Sequence, residues 1–176
     1  MKAACMVLVA ILCSAAAVRP QAATPAPATP LQSPIDKLHW MIGTWEGEEG
    51  AGAEKVTVRM KAWLAPSGHA VLYHVDVIHE GKTTPRYDGM YYWIAAQNTF
   101  VIRQTAITGG VVEGEFKLDG AKAVQTETVF NPDGTKSAIK IEYRIEAEKF
   151  HMNAQFRRSE DSEWIPALEM DYHRVS

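Results

Sequence analysis

Ile139-Lys140-Ile141-Glu142-Tyr143-Arg144-Ile145 and Phe150-His151-Met152-Asn153-Ala154-Gln155-Phe156 are the stretches whose reading decides the fold. In each, every second side chain is apolar and the residues between are charged or polar. Side chains of an extended strand point alternately to opposite faces, so a period of two marks a strand with one dry face and one wet one. Glu146 to Lys149 separates the runs, a length that suits a hairpin and little else. Residues 139–156 therefore read as two antiparallel strands covering a shared interior.

The pattern repeats on both sides. Trp164, Leu168, Met170 and Tyr172 alternate with Ile165, Glu169 and Asp171; Val56, Val58 and Met60 oppose Arg59 and Lys61; Val71, Tyr73, Val75 and Val77 oppose His74 and Asp76. Turn signals fall at Gly50-Ala51-Gly52, Pro66-Ser67-Gly68, Glu80-Gly81, Ala96-Gln97-Asn98, Gly109-Gly110, Asp119-Gly120, Pro132-Asp133-Gly134, Glu146 to Lys149 and Ser159 to Ser162. Nine turns imply ten strands. Nothing after Gly43 has sustained helical periodicity, so the crossover helices of a parallel sheet are missing. The expected fold is all-β: an up-and-down antiparallel barrel of about ten strands, closed so that no edge is left unpaired. A two-sheet sandwich is the alternative. Before the strands, Ser33-Pro34-Ile35-Asp36 reads as a capped helix start, and Ile35, Leu38, Met41 and Ile42 give a short N-terminal plug helix one buried face.

The 176-residue chain divides into three parts. Residues 1–23 read as a secretory signal peptide: Lys2, an apolar run from Met6 to Ala17, and a small-residue cut at Ala15-Ala16-Ala17 or near Ala23. About twelve residues of helix reach roughly 18 Å, too short for a bilayer core of about 30 Å, so a membrane span is not expected. Cys5 and Cys13 both lie in this leader, leaving the exported domain without cysteine. Leu12 before Cys13 argues against a lipid anchor. Residues 24–34, rich in Pro and Ala, read as a disordered linker. Residues 35–176 form the domain, expected in the periplasm or outside the cell. Its charge is mildly acidic (the whole chain carries −3), which disfavours nucleic acid as a partner.

Leu38-His39-Trp40-Met41-Ile42-Gly43-Thr44-Trp45-Glu46-Gly47-Glu48, together with the strand count, resembles the opening of calycin-type small barrels, where a Gly-x-Trp on the first strand follows a short plug helix. The likeness extends loosely to Gly110-Val111-Val112-Glu113-Gly114-Glu115. The domain resembles secreted bacterial lipocalin-like proteins and, more distantly, nitrobindin-like and fatty-acid-binding barrels. The resemblance implies that Trp45 sits inside at the barrel floor and that a basic residue near the chain end, matching Arg174, lies across it. Both residues are then structural.

Motifs for chemistry are sparse. His69, His74 and His79 are spaced by five, which reverses the face at each step and prevents convergence on a metal. No Gly-x-Ser-x-Gly elbow and no cysteine nucleophile exist in the domain, so no catalytic residue is assigned. Asp76, Glu113, Glu115 and Glu127 read as surface charges. The nitrobindin resemblance implies a haem-linked alternative with a histidine near Ala167-Leu168; that stretch has none, and His173 has the parity of an outward residue. The remaining candidate is the interior. Met60, Tyr73, Tyr143, Met152, Met170 and Tyr172 are expected to line it, with Thr126 and Thr128 supplying hydroxyls and no charge pointing inward. Such a lining suits a small hydrophobic ligand, although the same side chains could fill a solid core. Tyr91, Tyr92 and Trp93 offer a third possibility, a surface for a protein partner.

Overall fold

The computed structural model describes residues 34–175. The leader, the linker up to residue 33 and the Ser33 cap lie outside the described residues. Ten strands run in chain order: β1 (Gly43–Glu49), β2 (Val56–Leu64), β3 (Ala70–His79), β4 (Lys82–Ile94), β5 (Thr99–Ala106), β6 (Val111–Asp119), β7 (Lys122–Phe130), β8 (Lys136–Ile145), β9 (Lys149–Arg157) and β10 (Ile165–Arg174). Each pairs antiparallel with its sequence neighbour, and β1 meets β10 to close the barrel. All nine expected turns are the nine connections, and the closed wall replaces the sandwich alternative.

Pro34–Met41 is a 3-10 helix. Its buried residues are Ile35, Leu38 and Met41, a spacing of three that matches three residues per turn, and Ile42 falls off the stripe. These three side chains join the core formed by the strands. Gly43 follows at φ 131°, a region that favours glycine, and the chain turns directly from helix into β1.

The two ends of the domain meet at the floor. Trp45 is fully buried and registers with Arg174 across the β1–β10 seam. The Arg174 guanidinium lies 4.2 Å from the Trp45 ring centre. Its nitrogens donate to the carbonyls of Ile42 at 2.6 Å and Trp40 at 3.1 Å, the end of the helix. Trp45 Nε1 donates to the Met41 carbonyl at 2.8 Å. One stacked pair thus satisfies three carbonyls that the helix terminus leaves open. Phe150 packs edge-on against Trp45 at 5.0 Å and stacks on Tyr172 at 4.6 Å.

Two bulges break the alternation. On β4 the register shifts between Asp76↔Pro85 and Val75↔Tyr87, so Arg86 is the extra residue; on β10 the shift lies between Pro166 and Leu168, so Ala167 is. A bulge turns consecutive side chains toward the same face.

Truncating Trp45 to Ala removes the packing at the seam and one helix-terminal bond, so it is expected to lower stability by about 3–5 kcal/mol. Arg174→Ala should cost less, about 1–3 kcal/mol. Urea denaturation measures both; a Trp45→Ala midpoint equal to the parent's would contradict this assignment.

Candidate functional site

The barrel is hollow. A cavity of about 320 Å³ runs from Trp40, Met41 and Phe150 at the helix end to Glu49, Arg86 and Ala167 at the other. Met60, Tyr73, Tyr143, Met152, Met170 and Tyr172 all line it, as expected. Ile139, Ile141, Ala154, Phe156 and Leu168 make most of the remaining wall apolar. Gly89 on β4 makes room for this arrangement. A side chain there would collide with the Tyr73 ring, which lies across the glycine and donates through its hydroxyl to Gln104 Oε1 on β5.

Thr126 and Thr128 do not line the cavity. Both are exposed on the outer face of β7, with Val124 and Phe130, and the inward residues of that strand are Ala123, Gln125 and Glu127. The expectation of no inward charge fails with them. Gln125 and Glu127 are each 2% exposed. The physical reason lies in the facing wall: two buried phenols need acceptors, and a polar pair on β7 supplies them. Tyr91 Oη donates to Gln125 Oε1 at 2.7 Å and Tyr143 Oη to the same oxygen at 3.3 Å. With its oxygen so occupied, Gln125 turns Nε2 toward Glu127 and donates to Oε1 at 2.6 Å. The other three acids also sort differently. Glu113 and Glu115 pair with Arg103 and Lys117 outside, whereas Asp76 is buried beside His74, at 2.8 Å.

Burial drives the electrostatics of this interior. It raises the carboxyl of Glu127 from an ordinary 4.5 to about 7, although the Gln125 hydrogen bond pulls the other way. Burial likewise lifts the phenols of Tyr73, Tyr91 and Tyr143 well above their usual range, so they remain neutral donors. At the open end the Arg86 bulge brings a guanidinium inward. Its Nη1 meets Glu49 Oε2 at 2.5 Å, and both side chains are about one-third exposed. Burial works against that cation, and the hydrogen bond to Glu49 helps hold it charged. The indole N–H of Trp40, at the floor, is buried without a hydrogen-bond partner.

Other candidates fall away from the cavity. No histidine of the described residues is among its lining; Ala167 and Leu168 border it and His173 is exposed. The donor set does not fit a histidine-ligated haem. Tyr91 is buried in the wall and cannot serve a partner surface. Among the described residues no cluster of His, Cys, Asp and Glu is arranged to hold a metal.

Fold and site together define a closed ten-stranded antiparallel barrel around a partly open, mainly apolar cavity with a polar rung on one wall. No protein-family model matches the chain, and no curated protein matches it in sequence. Among solved structures it is similar to Rv2717c from M. tuberculosis, with a TM-score of 0.57 and 13% identity over 81% of this chain and 97% of that one. At this identity the likeness is one of fold.

Glu127 makes stability depend on pH. The folded state holds its proton more tightly than the unfolded chain, so stability falls as pH rises from 4.5 to about 7 and then levels off. Replacing it with Gln removes a penalty of about 3 kcal/mol on the alkaline side. The hydrogen bond to Asp88 raises His74 despite burial, so its contribution also fades as pH rises; the parent-minus-variant difference isolates Glu127. Melting curves of Glu127→Gln are expected to gain on the parent above neutrality and match it in acid. Parallel curves at every pH would refute the assignment.

Proposed function

We propose that the protein is an exported, lipocalin-like carrier that holds one small hydrophobic molecule inside its barrel. The observation that carries this reading is the cavity: about 320 Å³, open at the end away from the helix and lined mainly by aliphatic and aromatic side chains with a few oriented polar groups. Small-molecule sites share this chemistry, in which apolar area supplies affinity and a few fixed hydrogen-bonding groups supply orientation. Each methylene moved from water into such a wall contributes about 0.8 kcal/mol. The Lys2 and Met6–Ala17 leader supports export, and the Gly-x-Trp opening supports a place among calycin-type barrels.

Ala154 is buried and borders the cavity, so a large side chain there projects into the space a ligand would take. The neutral dye N-phenylnaphthylamine is expected to brighten at a single site in the parent protein. Ala154→Trp should weaken it by about tenfold or more while leaving the β-sheet circular dichroism in place. A parent protein that leaves the dye dark, or a variant that binds it equally well, would refute the interior as the site.

A further inference from the structure

Three side chains of the acidic and basic types border the cavity: Glu49, Arg86 and Glu127. Arg86 and Glu49 neutralise each other at the open end, with nitrogen and oxygen 2.5 Å apart. Glu127 has no such partner. Among the described residues no Lys, Arg or His lies within ion-pair distance of it, and its hydrogen-bond donor is the neutral amide of Gln125. The groups that face it are phenols: Tyr73 on β3, Tyr91 on β4 and Tyr143 on β8, all neutral. Tyr87 and Tyr172 lie farther along the same cavity beside the compensated pair. Once ionised, Glu127 therefore gives the interior a negative charge that no protein cation balances.

The surroundings are suited to a cation. Tyr73 and Tyr91 border the same space with ring centres 5.4 Å apart, and aromatic faces attract an ammonium through the ring quadrupole. The phenols spend their hydrogens on Gln104 and Gln125, and Gln125 spends one of its own on Glu127 Oε1. The relay converges on the carboxylate and aims no protein cation at it. Resting on the carrier reading above, we infer that Glu127 is a recognition group and that the ligand is an apolar primary amine, its ammonium bound by Glu127 among the Tyr73 and Tyr91 rings and its hydrocarbon tail along the aliphatic wall. Binding such a cation favours the ionised carboxylate, so the complex forms with release of the proton that Glu127 holds when the site is empty and the pH is low.

Octylamine, octanol and octanoate share one tail and differ in head charge, which separates this inference from the carrier reading. Titration calorimetry on the purified protein at about pH 8.5, where octylamine is still an ammonium, is expected to rank octylamine about tenfold or more above octanol, with octanoate weakest. Octylamine affinity should fall about tenfold between about pH 8.5 and about pH 6 as Glu127 takes up its proton, while octanol affinity stays level. Glu127→Gln should erase the preference for the amine and leave octanol binding in place, which also shows that the variant is folded. Octanol binding as tightly as octylamine, or an amine preference that survives Glu127→Gln, would overturn the inference and leave the carrier reading intact. Octanoate ranking first would overturn it too and assign recognition to Arg86. Failure of all three to bind would overturn both.

Discussion

The contact between Arg174 and Trp45 carries the architecture. A meander of hairpins assembles from neighbours in sequence, but closure must join the first strand to the last. That seam is short: three registered pairs, against seven between β1 and β2. The guanidinium over the indole adds a side-chain clasp where the backbone ladder is weakest, and its fork also ties down the helix end through two carbonyls. A lysine at this place could not do both, since a single ammonium lacks the planar fork. The floor, the wall and the enclosed space all presuppose this clasp.

Within the wall, polarity is concentrated rather than scattered. A lone buried hydroxyl or amide in an apolar barrel costs free energy, whereas a connected set satisfies its members in turn. Tyr91, Tyr143, Gln125 and Glu127 form such a set, and it ends in a group whose charged form burial disfavours. A neutral amide at position 127 would avoid that cost and still accept from Gln125 Nε2, and the phenols would still have Gln125 Oε1. The carboxyl is thus more than the hydrogen-bond network needs, which separates it from the purely structural polar residues around it.

Much of this was legible in the chain. Eight of the nine turns carry Gly, Asn, Asp or Pro where the backbone reverses, and β8 and β9 alternate so strictly that only one face can be dry. The seam contact was what the resemblance of the Gly-x-Trp opening to calycin-type barrels implied. β7 defeated the same rule. Its stretch Ala123-Val124-Gln125-Thr126-Glu127-Thr128-Val129-Phe130 has apolar residues at both parities, and Val124 and Phe130 lie outside, where Lys136 covers the Phe130 ring at 5.2 Å. Alternation identifies the inner face only when that face is uniformly apolar. Here the facing tyrosines demanded acceptors, a constraint set by strands remote in sequence. Bulges are equally invisible, because one added residue leaves composition and turn signals unchanged while altering which side chains face inward.

Those bulges explain why the two ends of the barrel differ. At the floor, Trp45, Phe150 and the buried helix side chains exclude water over a broad apolar contact. At the other end the extra residues Arg86 and Ala167 interrupt the ladders, and what spans the opening is a partly exposed ion pair between β1 and β4. A pair of that exposure contributes at most about 1 kcal/mol, far less than opening the floor would forfeit. Entry for the carrier reading is therefore by the bulged end, past a pair whose charges cancel. On that reading an entering molecule would meet little net field at the rim and reach the Glu127 carboxyl only inside the barrel.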